Sequence, residues 1–229
     1  SEINYRANID VMKQLGVTEL VSLSAVGSLE ESVSPGTFVI VDQFVDKTYL
    51  RKKTFFEEGL VAHVSLADPT CKNMNRIIKE AAKDSSIEIQ ENGVYVVIEG
   101  PQFSSKIESE IYRKWGCNII GMTNMPEAKL AREAEICYST IAMVTDYDCW
   151  HPSHDSVTVE MILQQMAKNI VKAKKIIPNI ARQYRRSISN VNNCSCKNVL
   201  DAAIVTPKED WSSASIDRCL NVAGRVLKK

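Results

Sequence analysis

Neither sign of charge is in excess: 28 Lys and Arg balance 28 Asp and Glu in 229 residues. That balance leaves no electrostatic footprint for nucleic acid or for an anionic membrane surface. Long apolar runs are missing too, so no stretch has the length needed to span a bilayer. The opening residues, Ser1-Glu2-Ile3-Asn4-Tyr5-Arg6, hold no apolar core of a secretion signal. A soluble cytoplasmic protein is the expectation. Glycine is scarce, with nine residues and no Gly-rich run to cradle a phosphate. Internal repeats and low-complexity segments are absent. Cysteine occurs seven times, an odd number, and Cys194-Ser195-Cys196 is a C-x-C without a second pair. That is weak ground for zinc, and it reads as two free thiols in a tail. Cys71, Cys117, Cys137 and Cys149 lie in or beside apolar segments and read as small buried hydrophobes.

What is present is an alternation of β-prone and helical segments. Residues 6–15 form a predicted helix stopped by Gly16, a natural left-handed C′ residue. Strands are expected at 20–26, 37–41, 94–98, 118–122 and 138–144. Helices fit 73–83, the stretch opened by the capping box Ser105-Lys106-Ile107-Glu108, one capped by Thr123 or Asn124 with Pro126 in its first turn, 157–183, and 214–228. Strands alternating with helices define an α/β class. The polar, aromatic stretch 46–66 has little periodicity, and loops of that length usually carry function or cover something. Residues 1–229 read as one domain, with 185–212 a loop or tail.

The most informative stretch is Thr145-Asp146-Tyr147-Asp148, directly after an apolar β-prone run. Residues two apart on an extended chain point the same way, which would set two carboxyls side by side at a strand end. Open α/β sheets commonly place sites there, and paired acids suit a ligand rich in nitrogen, such as a purine. Alone, a D-x-D is more often a solvated strand end. A second motif, Glu99-Gly100-Pro101-Gln102-Phe103-Ser104, changes that balance.

Taken with Asn4-Tyr5-Arg6-Ala7-Asn8, Ser24-Ala25-Val26-Gly27-Ser28-Leu29, Asp42-Gln43-Phe44-Val45-Asp46, Ala62-His63-Val64 and Gly121-Met122-Thr123, in this order and spacing, these motifs carry a resemblance. The chain resembles the S-methyl-5′-thioadenosine phosphorylases of the trimeric purine nucleoside phosphorylase superfamily, from Asn4 to about Ile180. The resemblance implies a mixed, partly closed β-sheet flanked by helices. It implies phosphorolysis of S-methyl-5′-thioadenosine to adenine and 5-methylthioribose 1-phosphate, with inorganic phosphate as co-substrate and no cofactor or metal. It also implies a homotrimer or dimer of trimers, with no nucleic acid or membrane partner.

Site roles follow from the same resemblance. Asp146 matches the acid that meets purine N7, and Asp148 the acceptor for the 6-amino group. Ser104 and Phe103 match base-binding residues, and Met122 the residue beneath the ribose. Ser24, Ala25 and Thr123 match phosphate ligands. Val159, Ile162 and Leu163 match an apolar wall for the 5′-methylthio group, and they also fit the buried face of a long helix with Met166, Ile170 and Val171. His63 matches a histidine reaching a neighbouring subunit's site. Each also has a plainer reading: capping for Ser104, core packing for Phe103 and Met122, turns or caps for Ser24 and Thr123. His151 and His154 read as an exposed loop rather than metal ligands. Cys194-Ser195-Cys196 resembles a C-terminal C-x-C of some members. The family's N-terminal strand, its Gly-Gly-Ser-Gly-type phosphate loop and a later Arg-His segment have no counterpart in these residues. A phosphorylase of 6-oxopurine nucleosides or methylthioinosine, and a non-catalytic purine-binding subunit, are the alternatives.

Overall fold

The computed structural model describes residues 2–152, 158–187 and 193–228. Five strands close into a barrel in the order β1-β4-β3-β2-β5: β1 (Glu19–Ser28), β2 (Phe38–Lys47), β3 (Ile89–Ile98), β4 (Ile119–Gly121) and β5 (Cys137–Asp146). The sheet is mixed. β1 runs parallel to β5, β3 runs parallel to both β2 and β4, and the β1–β4 and β2–β5 pairs are antiparallel. Six α-helices lie among the described residues: α1 (Tyr5–Gln14), α2 (Lys72–Asp84), α3 (Lys106–Lys114), α4 (Asn124–Glu133), α5 (Val159–Arg186) and α6 (Ser213–Leu227). None of these is long and apolar enough to cross a membrane. The α/β alternation and every expected element appear, and the sheet closes fully where partial closure was expected.

All ten residues of β5 are buried, which is why its sequence is nearly continuous in apolar and small residues rather than alternating. One face of the barrel packs under α2 and the second half of α5, where Phe38, Ile40, Ile141 and Met143 meet Ile77, Ile78, Ala81 and Ile176. The other packs against α1, α4 and α6. The 46–66 stretch does cover something. Phe55, Phe56 and Leu60 are buried in this second core, and Tyr49 and Leu50 donate their N–H groups to the Glu99 carboxylate at 2.7 and 3.1 Å.

Long helix α5 departs from its expected packing. Its buried positions are Asn169, Ala173, Ile176 and Ile180. Val159 and Leu163 are 63% and 62% exposed, and Ile170 and Val171 are also exposed. The helical spacing of its apolar residues therefore does not mark a continuous core face in its first half, where Met166 packs partly against the core and Ile162 faces a cavity. Fully buried Asn169 anchors the middle of the helix by donating to the Val144 carbonyl at 2.9 Å. In α4, Thr123 occupies the N-cap without a side-chain capping bond, and Met125 is non-helical, so the regular helix begins after Met125, with Pro126 in its first turn as expected.

Beneath the covering loop, burial pushes the Glu133 carboxyl up to about 7, even though the Phe55 N–H and Thr54 hydroxyl favour its ionised form. Both of those bonds are 2.7 Å. Its pKa in the folded chain exceeds that in the unfolded chain. Its contribution to stability is therefore full below the ordinary carboxylate range and is lost as pH rises through about 7. Glu133→Gln keeps both partners, with the Thr54 hydroxyl turned to accept. Chemical denaturation at pH 5 and pH 8 should show wild type losing about 3 kcal/mol relative to the variant across that range. Parallel pH profiles would remove Glu133 as the cause.

Candidate active site

The β1–β5 register brings the site together. Pairing runs in step from Glu19 with Cys137 to Val26 with Val144, then slips so that Gly27 faces Asp146. A Cβ on Gly27 would stand 2.9 Å from Asp146 Oδ1 and 3.2 Å from the Ile120 side chain, so only glycine leaves the carboxylate its place.

The two acids meet by a different route from strand alternation. β5 ends at Asp146, and the chain then turns, with Asp148 at φ 51° in the left-handed region. The Asp148 N–H donates to Asp146 Oδ1 at 2.8 Å, closing the turn. Thr145 donates its hydroxyl to Asp146 Oδ2 at 2.6 Å. Asp148 Oδ2 accepts from the Ser109 hydroxyl and, at 3.4 Å, from that of Ser104. Both acids are more than nine-tenths buried. Burial raises the Asp146 carboxyl above the ordinary range, against the Thr145 and Asp148 hydrogen bonds, and the nearby Asp148 charge adds to the rise. Burial raises Asp148 as well, against hydroxyls from Ser109 and Ser104. The solvated strand end is thereby excluded.

Both carboxylates line a cavity of about 180 Å³ whose walls include Ala25, Ile98, Phe103, Ser104, Met122, Thr123 and Ile162. An open cleft of about 570 Å³ adjoins it across Ile98, Phe103 and Ser104 and reaches Glu99 and Tyr49. Ser105, not Ser104, caps α3: its hydroxyl and the Glu108 carboxylate form the reciprocal capping box. The Ser104 side chain is therefore left to face the acids. Gly100 sits at φ 69°, and a Cβ there would come 2.5 Å from Met122 Sδ; its absence lets the thioether lie against the loop. Near Ala25 and Thr123, the buried Ser24 hydroxyl lies 2.9 Å from that of Thr123 and 3.2 Å from that of Tyr95.

Of the residues singled out in the sequence, Asp146, Asp148, Phe103, Ser104, Met122, Ala25, Thr123 and Ile162 share this cavity, and Ser24 touches Thr123. Val159 and Leu163 lie outside its lining. His63 is exposed, and its N–H pairs with the Ala203 carbonyl at 2.8 Å, away from the cavity. His151 is not an exposed loop residue: its side chain is 7% exposed, 3.0 Å from Glu31 and stacked on Tyr147 at 4.7 Å. His154 lies outside the described residues. Sequence reasoning missed Ser109, Thr145, Tyr95 and Gly27. Thr145 stands inside the Thr145–Asp148 motif, and Gly27 inside Ser24–Leu29. Ser109 is one helical turn beyond the capping serine, and nothing local marks its meeting with a carboxylate 39 residues later. Cys149, expected to be an inert hydrophobe, is half-buried and lies 3.3 Å from the Ser104 carbonyl.

A closed mixed barrel with buried carboxylates at one strand end defines a class, and sequence comparison agrees with it. The pattern of the phosphorylase superfamily matches residues 1–182, and the chain belongs to that family. Relatives named S-methyl-5′-thioadenosine phosphorylase are 49% identical in Rhodospirillum rubrum, covering 99% of this chain and 77% of that protein. In Bradyrhizobium diazoefficiens the identity is 51%, covering 100% of this chain and 78% of that protein. Among solved structures, a methylthioadenosine phosphorylase from an antarctic soil metagenomic library superposes with a TM-score of 0.89 at 44% identity. It covers 97% of this chain and 77% of its own. The Schistosoma mansoni methylthioadenosine phosphorylase in complex with adenine gives 0.84 at 34% identity, over 90% of this chain and 78% of that one.

Proposed function

We infer that this chain is a pentosyltransferase that cleaves S-methyl-5′-thioadenosine with inorganic phosphate, giving adenine and 5-methylthioribose 1-phosphate. The observation that carries this reading is the pair of buried acids, Asp146 and Asp148, converging on one cavity beside the Ser24–Thr123 hydroxyls. Residues 1–229 all belong to one nucleoside phosphorylase domain in this reading.

The reaction breaks the C1′–N9 bond and forms a bond from C1′ to a phosphate oxygen. No protein nucleophile is needed. The site must orient two reactants and neutralise charge on the departing purine. Asp146, whose acid form burial favours, gives its proton to N7 as the base leaves. The proton released by the attacking phosphate restores it. Asp148 accepts from the 6-amino group through a carboxyl oxygen, its charged form supported by the Ser109 and Ser104 hydroxyls. Phe103 packs on the base, Ser104 hydrogen-bonds it, and Met122 lies beneath the ribose. The Ser24 and Thr123 hydroxyls and the Ala25 N–H are donors to phosphate. No step requires a cofactor.

Ile162 begins the apolar receptacle for the methylthio group, and Val159 and Leu163 continue it. An apolar wall suits a thioether and gives nothing to a hydroxyl. Exposed Val159, Leu163 and Val171 on α5 support assembly of subunits around the site, in a trimer or dimer of trimers, with His63 directed to a neighbour. Sedimentation should give a trimer or a multiple of it at micromolar concentration; a monomer there would remove this part of the reading.

Asp148→Asn tests base selection. A carboxylate can only accept, whereas an amide can also donate to a 6-oxo group. The variant should lose preference for 6-amino over 6-oxo nucleosides by about 10²-fold in kcat/KM. Unchanged preference would place base reading elsewhere. The reaction itself is tested by adenine release from S-methyl-5′-thioadenosine with and without phosphate. Phosphate-dependent release is expected, and release independent of phosphate would make the chain a hydrolase.

A further inference from the structure

Four cysteines from three segments distant in sequence meet away from the cavity. Cys71 is the N-cap of α2, Cys137 opens β5, and Cys194 and Cys196 lie on the segment after α5. The two thiols expected in a free tail are instead buried with the other pair. All four Sγ atoms lie within 4.8 Å of one another, and those of Cys71 and Cys194 are 3.5 Å apart. A zinc ion with four thiolates at about 2.3 Å spaces its sulfurs by about 3.8 Å, so the four side chains already enclose a space of that scale. Two further contacts suit thiolates: the buried Arg132 guanidinium donates to Cys196 Sγ at 3.3 Å, and the Met74 N–H faces Cys71.

We propose that Cys71, Cys137, Cys194 and Cys196 bind one Zn²⁺ as a closed tetrathiolate site. Four thiols and Zn²⁺ give a dianionic complex and release four protons to solvent, and Arg132 offsets part of its charge. With all four positions filled by protein the ion is structural, not catalytic. It clasps the segment after α5 to the barrel. Cys137 and Asp146 are the two ends of the ten-residue strand β5, so this clasp stands about 30 Å from the acids.

The test uses the full chain purified with a thiol reductant. Elemental analysis should find one zinc per chain, and Cys194→Ser/Cys196→Ser should abolish it. Stripping the metal with a chelator should lower the melting temperature by about 10 °C, and added Zn²⁺ should restore it. Because the double variant could fail to fold, wild type reloaded with Co²⁺ gives an independent readout: the charge-transfer and visible d–d bands of a tetrahedral cobalt thiolate. Reduced chain that takes up neither metal overturns the proposal. So does peptide mapping that finds these cysteines joined as disulfides in chain supplied with zinc.

Discussion

Asp146→Asn lowers turnover by about 10²–10⁴-fold while changing adenine affinity by less than about tenfold. The asymmetry follows from what the amide retains. Its oxygen still accepts the Asp148 N–H that closes the turn, and its NH₂ can donate to the Thr145 oxygen, so local structure survives. The NH₂ can also hydrogen-bond to purine N7 in the ground state. It cannot surrender a proton as the C1′–N9 bond breaks, so the loss falls on the transition state. Burial raises the wild-type carboxyl above its ordinary range, which keeps the acid form populated to higher pH. The wild-type rate should therefore fall as pH rises through that elevated pKa, and the variant's residual rate should lack this limb. Steady-state kinetics across pH, with adenine binding by calorimetry, decide the matter. Equal losses in turnover and affinity would take Asp146 out of the acid's role.

A comparable effect on stability is expected from Arg51→Met. Arg51 and Glu99 form a buried ion pair at 3.0 Å, with side chains 3% and 5% exposed. The guanidinium also donates to the Tyr5 hydroxyl at 3.1 Å and the Glu99 carbonyl at 2.8 Å, and it bonds the Met125 carbonyl. It therefore joins α1, the covering loop, the Glu99–Ser104 motif and the start of α4. Methionine fills similar volume but takes the guanidinium and its hydrogen bonds away from the buried Glu99 carboxylate, which keeps the Tyr49 and Leu50 N–H groups. Such a change costs about 3–5 kcal/mol, or a fall in melting temperature of roughly 10 °C. Burial alone would raise Glu99, but those N–H groups and Arg51 outweigh it and hold the carboxyl below the ordinary value. The stabilisation is therefore full above the normal carboxylate range and is lost as pH falls through the depressed value. Arg51→Met/Glu99→Gln should recover part of the loss by removing the buried negative charge along with its Arg51 partner. A single variant within about 1 kcal/mol of wild type would show the pair to be dispensable.

Element type was legible in this sequence because the signals are local. The capping box at Ser105 and Glu108 appears as read, and the terminal helix falls within one residue of its expected bounds. Four of the five strands are longer than expected, while β4 is shorter: β3 starts at Ile89, five residues before the apolar run, because its first half pairs with β2 through polar residues. The candidate site was half legible. Asp146, Asp148 and Ser104 stood out as short motifs, and their meeting in one cavity follows from strand order.

The remainder rests on contacts between segments far apart in the chain, which no local pattern encodes. Ser109 reaches Asp148 only because α3 packs beside the end of β5. The apolar positions in the first half of α5 have helical spacing, but spacing cannot say whether a barrel lies beneath them. The four thiols come from three separate segments, and a C-x-C by itself carries no record of the other two. The sequence by itself determined the helices and the strands, since dihedral preference, capping and alternation act over a few residues, and it marked the two acids by their motif, though a turn rather than alternation brings them together. Tertiary structure alone decided the barrel's closure, the pKa of its acids and the partners of its cysteines. Those depend on desolvation and on distances that exist only once the sheet has closed.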